Sequence, residues 1–210
     1  MADCCDDKAC EIEALRGRQG SVLKAVLAIN VVMFLAESAA GLIAASTALL
    51  ADSLDMLGDS LVYGFSLYVI GRGARWQGVS ALLKGAIMAG FGLFVLGEAA
   101  YKALYPVLPS AVIIGWVGAL ALFANTVCLG LLWRHRSDDI NMHSVWLCSR
   151  NDIIANVSVI ATAPAVWLSG SRWPDIIVGV LIAFIFLRSS IFVTFRAVRH
   201  LNDKSVKHEG

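Results

Sequence analysis

The chain has 210 residues, of which 58% are hydrophobic and only 16% charged, and its mean hydropathy is +0.72. Soluble domains carry roughly a quarter of charged residues, so this composition excludes one and points to an integral membrane protein. A formal net charge of +1 gives no reason to expect a nucleic-acid partner.

Apolar runs of about 20 residues, the length an α-helix needs to cross a bilayer, recur six times, at approximately 22–45, 48–71, 81–104, 110–133, 143–169 and 174–196. They are too long and too continuous for the ~10-residue alternating strands of an outer-membrane barrel. The expected fold is therefore an all-α bundle of six transmembrane helices. It is flanked by a Cys-containing N-terminal tail (1–21) and a short C-terminal tail (197–210), with the membrane domain over 22–196. No cleaved targeting segment is expected, because the first run is too long for a signal-peptide core and follows an acidic stretch. Basic residues divide twelve against two between the sides, with only Lys102 and Arg172 on the poorer one. Both termini are then cytoplasmic, as in a multi-pass protein of a bacterial inner membrane.

Helix 1 carries Asn30 and Glu37. Glu37 has two readings: a carboxylate on the entry path of a site, or a group hydrogen-bonded to a neighbouring helix near the outer end. Helix 2 follows Ser46 and Thr47 and places Asp52, Asp55 and Asp59 at i, i+3 and i+7, on one stripe. By simple summation three unpaired acids at membrane depth cost on the order of 8 to 10 kcal/mol, and this helix has no Lys or Arg to offset them. In helix 3, Lys84 and Glu98 read as interface-seeking side chains. Gly85, Ala89, Gly90 and Gly92 there suggest close packing, at a subunit interface among other places. Asn125 and Cys128 in helix 4 read as packing or an interhelical hydrogen bond.

Helix 5 aligns Cys148, Asp152 and Asn156 on one face, with Arg150 turned away. In helix 6, Pro174 and Asp175 suit a helix start, and Asp175 needs no further role.

The pairs Asp55/Asp59 and Cys148/Asp152 are each spaced i, i+4. Should helices 2 and 5 pack side by side, they supply three carboxylates and one thiol to one point. Zinc accepts that four-ligand set, and the sulfur tilts preference toward Zn2+ or Cd2+ over the oxygen-preferring Mg2+ and Ca2+. Fully deprotonated, the set holds more negative charge than the metal neutralises. The empty site should then hold protons that metal entry expels.

On Asn30 to Gly41, Ser46 to Asp59, Asn141 to Asn156 and Pro174-Asp175, with the two i, i+4 pairs, the chain resembles the cation diffusion facilitator family of divalent-metal transporters. That resemblance implies a six-helix fold, export of metal from the cytoplasm, proton antiport, alternating access and a homodimer. It also implies a transport site on Asp55, Asp59, Cys148 and Asp152. Zinc-transporting members often have His where this chain has Asp55 and Cys148, so Fe2+, Co2+ or Mn2+ stays open if the thiol does not ligate. Members usually carry a cytoplasmic domain after helix 6 that this sequence is expected to lack, leaving dimerisation to the membrane helices. The metal is substrate, and no permanent cofactor is expected.

Cys4, Cys5 and Cys10 are weaker candidates, for metal capture at the cytoplasmic mouth, against an ordinary disordered tail. Two other readings compete with transport: a membrane enzyme around a catalytic metal, and a metal-sensing subunit that does not transport. The first needs a general base and a substrate cleft, neither of which is recognisable in the sequence.

Overall fold

A computed structural model of the chain describes residues 3–69, 74–133 and 140–205, with side-chain surroundings over 20–61, 85–133, 152–188 and a few neighbouring positions. Six helices follow in order: α1 (Asp3–Ile43), α2 (Thr47–Val69), α3 (Ala74–Leu104), α4 (Ala111–Trp133), α5 (Ile140–Ser169) and α6 (Trp173–Ser205). Among the described residues there is no strand. Each helix falls on one of the six apolar runs, which makes this the expected all-α membrane bundle. Gly20–Ile43, Gly85–Leu104, Ala111–Trp133 and Asp152–Ser169 are each long and apolar enough to cross a membrane. The stretch expected as a separate N-terminal tail continues α1 as helix from Asp3, and α6 runs on to Ser205.

Neighbours pair as α1 with α2, α3 with α6 and α4 with α5, while α2 also touches α3, α5 and α6. The central place of α2 follows from its sequence. Ala48, Leu49, Ala51 and Leu54 are buried in a cluster with Val95 of α3, Ile114 of α4, Val159 of α5 and Ile182 of α6. Small residues at two of these positions let helix backbones approach where a larger side chain would hold them apart. The outward surface is inverted relative to a soluble protein, with Phe94, Trp116, Phe123, Trp167, Phe184 and Phe195 all exposed. Such a belt is the surface a bilayer stabilises.

The glycines of α3 serve contacts within the chain. A Cβ on Gly92 would lie 2.9 Å from the Leu187 side chain of α6, and one on Gly85 would collide with Thr194 of the same helix. The Ser190 hydroxyl donates to the Gly85 carbonyl at 2.6 Å, sealing that approach. Gly90 has open space around it. The subunit-interface reading of the stripe is therefore corrected at Gly85 and Gly92, which are consumed by α6.

The reversal from α1 to α2 is built by backbone geometry. Ala45 has φ 50°, the Ser46 N–H donates to the Gly41 carbonyl at 2.9 Å and the Ala45 N–H to the Leu42 carbonyl at 3.3 Å. This is the hydrogen-bond pattern of a Schellman C-cap, in which the left-handed residue is usually glycine.

Candidate metal centre

The position of α2 is fixed first at its N-terminus. Thr47 and Ala48 donate their N–H groups to Asp175 at 2.6 and 3.2 Å, and the Ser46 hydroxyl donates to the same carboxylate at 2.5 Å. The Ser46 oxygen in turn accepts from Leu49 N–H at 3.1 Å. The free N–H groups of the first turn of α2 thus find partners. Asp175 was expected to serve only its own helix; it caps another. Lys102, buried near the end of α3, interacts electrostatically with Asp175 and is paired with Glu98 at 3.5 Å. Glu98, read from sequence as reaching for the interface, is held within the chain by that pair.

One turn further along, the acids of α2 face inward. Asp52 is fully buried and Asp59 nearly so, whereas Asp55 keeps some exposure. The hydroxyls beside them turn back to their own helix, Ser53 to the Leu50 carbonyl and Ser60 to the Met56 carbonyl. The acids are therefore the groups α2 presents across the bundle. On α5, Asp152 is buried and its carboxyl lies within hydrogen-bonding reach of Asp55. Asp55 also interacts electrostatically with Asp59, and Asp59 with the buried Cys128 of α4.

The structure thus brings Asp55, Asp59 and Asp152 into one region between α2 and α5. The side chains of Cys148, Arg150, Cys4, Cys5 and Cys10 lie outside the described residues, as does the turn 134–139. Among the described residues no three His, Cys, Asp or Glu side chains converge closely enough to hold one ion. Arg188 is exposed on α6. Cys128 packs with Leu23, Val26 and Leu132, in keeping with its reading as a packing residue.

Two residues that the sequence placed only by helix and face gain their surroundings from the structure. Asn156 of α5 donates its Nδ2 to Asp52 Oδ1 at 3.1 Å, a second link between α2 and α5 one turn from the first. Glu37 of α1 is 0% exposed, interacts electrostatically with Asp52 and Asp55, and among the described residues receives no hydrogen bond at either oxygen. The hydrogen-bonded reading of Glu37 is thereby corrected. The i, i+4 relation of Asp152 and Asn156 was the available signal, since a residue one turn from a ligand on the same face must meet the same neighbour.

A family model described as the cation efflux transmembrane domain matches residues 23–201. The metal cation efflux system protein CzcD of Cupriavidus metallidurans is 25% identical over 195 residues, covering 84% of this chain and 62% of that protein. The cation efflux system protein CzcD of an Alcaligenes species matches with the same identity and coverage. The chain therefore spans 62% of the length of these curated relatives. Because the match takes in almost the entire helical bundle, the chain belongs to the cation efflux family, the cation diffusion facilitators, which are transporters rather than enzymes.

Proposed function

We propose that this protein exports divalent transition-metal cations, Zn2+ or Cd2+, from the cytoplasm in exchange for protons. The cation is held between α2 and α5 by Asp55, Asp59, Cys148 and Asp152. The observation that carries this reading is the approach of Asp55 to Asp152 across the helix pair. Two carboxyl groups hydrogen-bonded to each other share a proton, and a divalent cation entering between them displaces it. The names of the two relatives, a metal cation efflux protein and a cation efflux protein, support the direction of transport. Sulfur from Cys148 gives the preference for thiophilic metals over Mg2+ and Ca2+. The protein works in a bacterial inner membrane with both termini cytoplasmic, as a homodimer.

The test is metal uptake into inside-out vesicles under an imposed proton gradient. Uptake of Zn2+ or Cd2+ that collapses when the gradient is dissipated is expected. Uptake that is unchanged in Asp59→Ala and Asp152→Ala overturns the site.

A further inference from the structure

Beside the transport site, toward the α1–α2 turn, lies a second group of polar atoms that the proposed function does not use. Glu37 of α1, Asp52 of α2 and Asn156 of α5 are each 0% exposed, and Asp52 links the other two, interacting electrostatically with Glu37 and accepting a hydrogen bond from Asn156. Among the described residues Glu37 Oε1 and Oε2, Asp52 Oδ2 and Asn156 Oδ1 have no hydrogen-bond partner. All four atoms are acceptors. Among the described residues the cluster lacks positive charge and donors, and an unpaired buried polar group costs free energy, a buried carboxylate more.

The amide makes the case stronger than an acidic cluster alone. Asn156 commits its Nδ2 to Asp52 Oδ1, which leaves its Oδ1 as a neutral, buried oxygen without a partner among the described residues. A proton bound to a carboxyl satisfies one or two acceptors. A cation with several open coordination positions satisfies all of them. The donors are oxygens only, with no thiol or imidazole among them, and so suit a cation that accepts carboxylate, carbonyl and water together. At about 1.5 Å rise per residue, Asp52 is displaced from Asp55 by only about 4.5 Å along α2.

We propose that Glu37, Asp52 and Asn156 form an oxygen-only divalent-cation position adjoining the Asp55/Asp59/Asp152 region, where a cation rests in transit between the transport site and the α1–α2 side of the membrane. This rests on the proposed function for its place in transport, though its binding chemistry stands independently. Two divalent ions so close repel one another, so the two positions fill in alternation.

The test is equilibrium binding of Mn2+, read by electron paramagnetic resonance, to purified protein in detergent. Asp55→Asn/Asp152→Asn serves as the background that disables the transport site. Saturable binding of about one Mn2+ per chain is expected to persist there and to weaken at least tenfold on adding Glu37→Gln or Asp52→Asn. A folded background that binds no Mn2+ saturably, or binding indifferent to Glu37→Gln, overturns the proposal. Should the double variant elute aggregated, Asp152→Asn alone is the background and the same outcomes apply. Failure of the transport-site reading has a different signature: Zn2+ binding in the background stays as tight as in the native chain, whatever Glu37→Gln does.

Discussion

The backbone N–H of Thr47 donates to Asp175 Oδ2 at 2.6 Å, so a carboxylate at the start of α6 caps a helix that begins 128 residues earlier. The same side chain takes the Ala48 N–H and the Ser46 hydroxyl. Three donors converge on it in a buried setting, and α2 carries most of the acids of the proposed site. Its vertical position in the bundle therefore depends on a residue from another helix.

Asp175→Ala strands those three donors and is expected to destabilise the bundle by about 3 kcal/mol, since each buried unsatisfied group costs about 1 to 3 kcal/mol and relaxation recovers part. Asp175→Asn keeps one acceptor oxygen and should lose roughly half as much. Unfolding in detergent by denaturant titration measures both. An Asp175→Ala midpoint equal to that of the native chain would show that the cap contributes nothing.

A Cβ on Gly179 would lie 2.7 to 2.8 Å from the side chain and backbone of Thr47, at the place where α6 meets the capped turn. Backbone atoms cannot rotate away, so Gly179→Ala must push the helices apart and break the Asp175 hydrogen bonds with them. A loss of about 2 kcal/mol is expected, within the usual range for overpacking. Gly90→Ala is the control. Gly90 has nothing within 4 Å, and alanine there should be neutral or gain up to ~1 kcal/mol through helix propensity. Equal thermal midpoints for the two variants would count against this account of α6 packing.

The six helices were legible because apolar runs of membrane length have one common outcome, and the shared faces of Asp55 with Asp59 and of Cys148 with Asp152 were legible because i, i+4 pairs share a face at any depth. The role of Asp175 was not. A residue in the first turn of a helix looks sufficiently explained by that helix, and nothing local shows that its carboxylate reaches a neighbour's N-terminus. Glu37 stood between two readings for a related reason: its burial without a donor depends on how α1 meets α2. Asn156 stood on the correct face of α5, but only the relative depth of α2 and α5 decides that it meets Asp52 and not Asp55.

Ala45 holds the left-handed conformation at the end of α1 with a side chain that disfavours it. Ala45→Gly relieves a cost of about 1 kcal/mol in the folded state, partly offset by the greater freedom of glycine in the unfolded chain. A net gain of roughly 0.5 kcal/mol is expected. A fall in the unfolding midpoint would mean that the methyl group makes a contact worth more than the strain.

Asp55 and Asp152 act as one unit if they share a proton and then a cation. Asp55→Asn and Asp152→Asn should each reduce metal transport at least tenfold, and the double variant should be little worse than either alone, because a site lacking one ligand has already lost its geometry. Initial rates in proteoliposomes give the double-mutant cycle. Fully multiplicative losses would mean that the two carboxylates work at separate points on the pathway.

Cys148 sits four residues before Asp152, one turn along the same helix. If its sulfur ligates, the site prefers Cd2+ relative to a version with a nitrogen donor, because thiolate is the softer ligand. Cys148→His keeps a fourth ligand that suits Zn2+ at a similar distance. The ratio of Cd2+ to Zn2+ transport should therefore fall several-fold in the variant while Zn2+ transport itself is retained. Competition between the two metals in the same vesicles measures that ratio without reference to the amount of active protein. An unchanged ratio with transport intact would remove sulfur from the coordination sphere, leaving the three carboxylates as the set that binds the ion and reopening the choice among Zn2+, Fe2+, Co2+ and Mn2+.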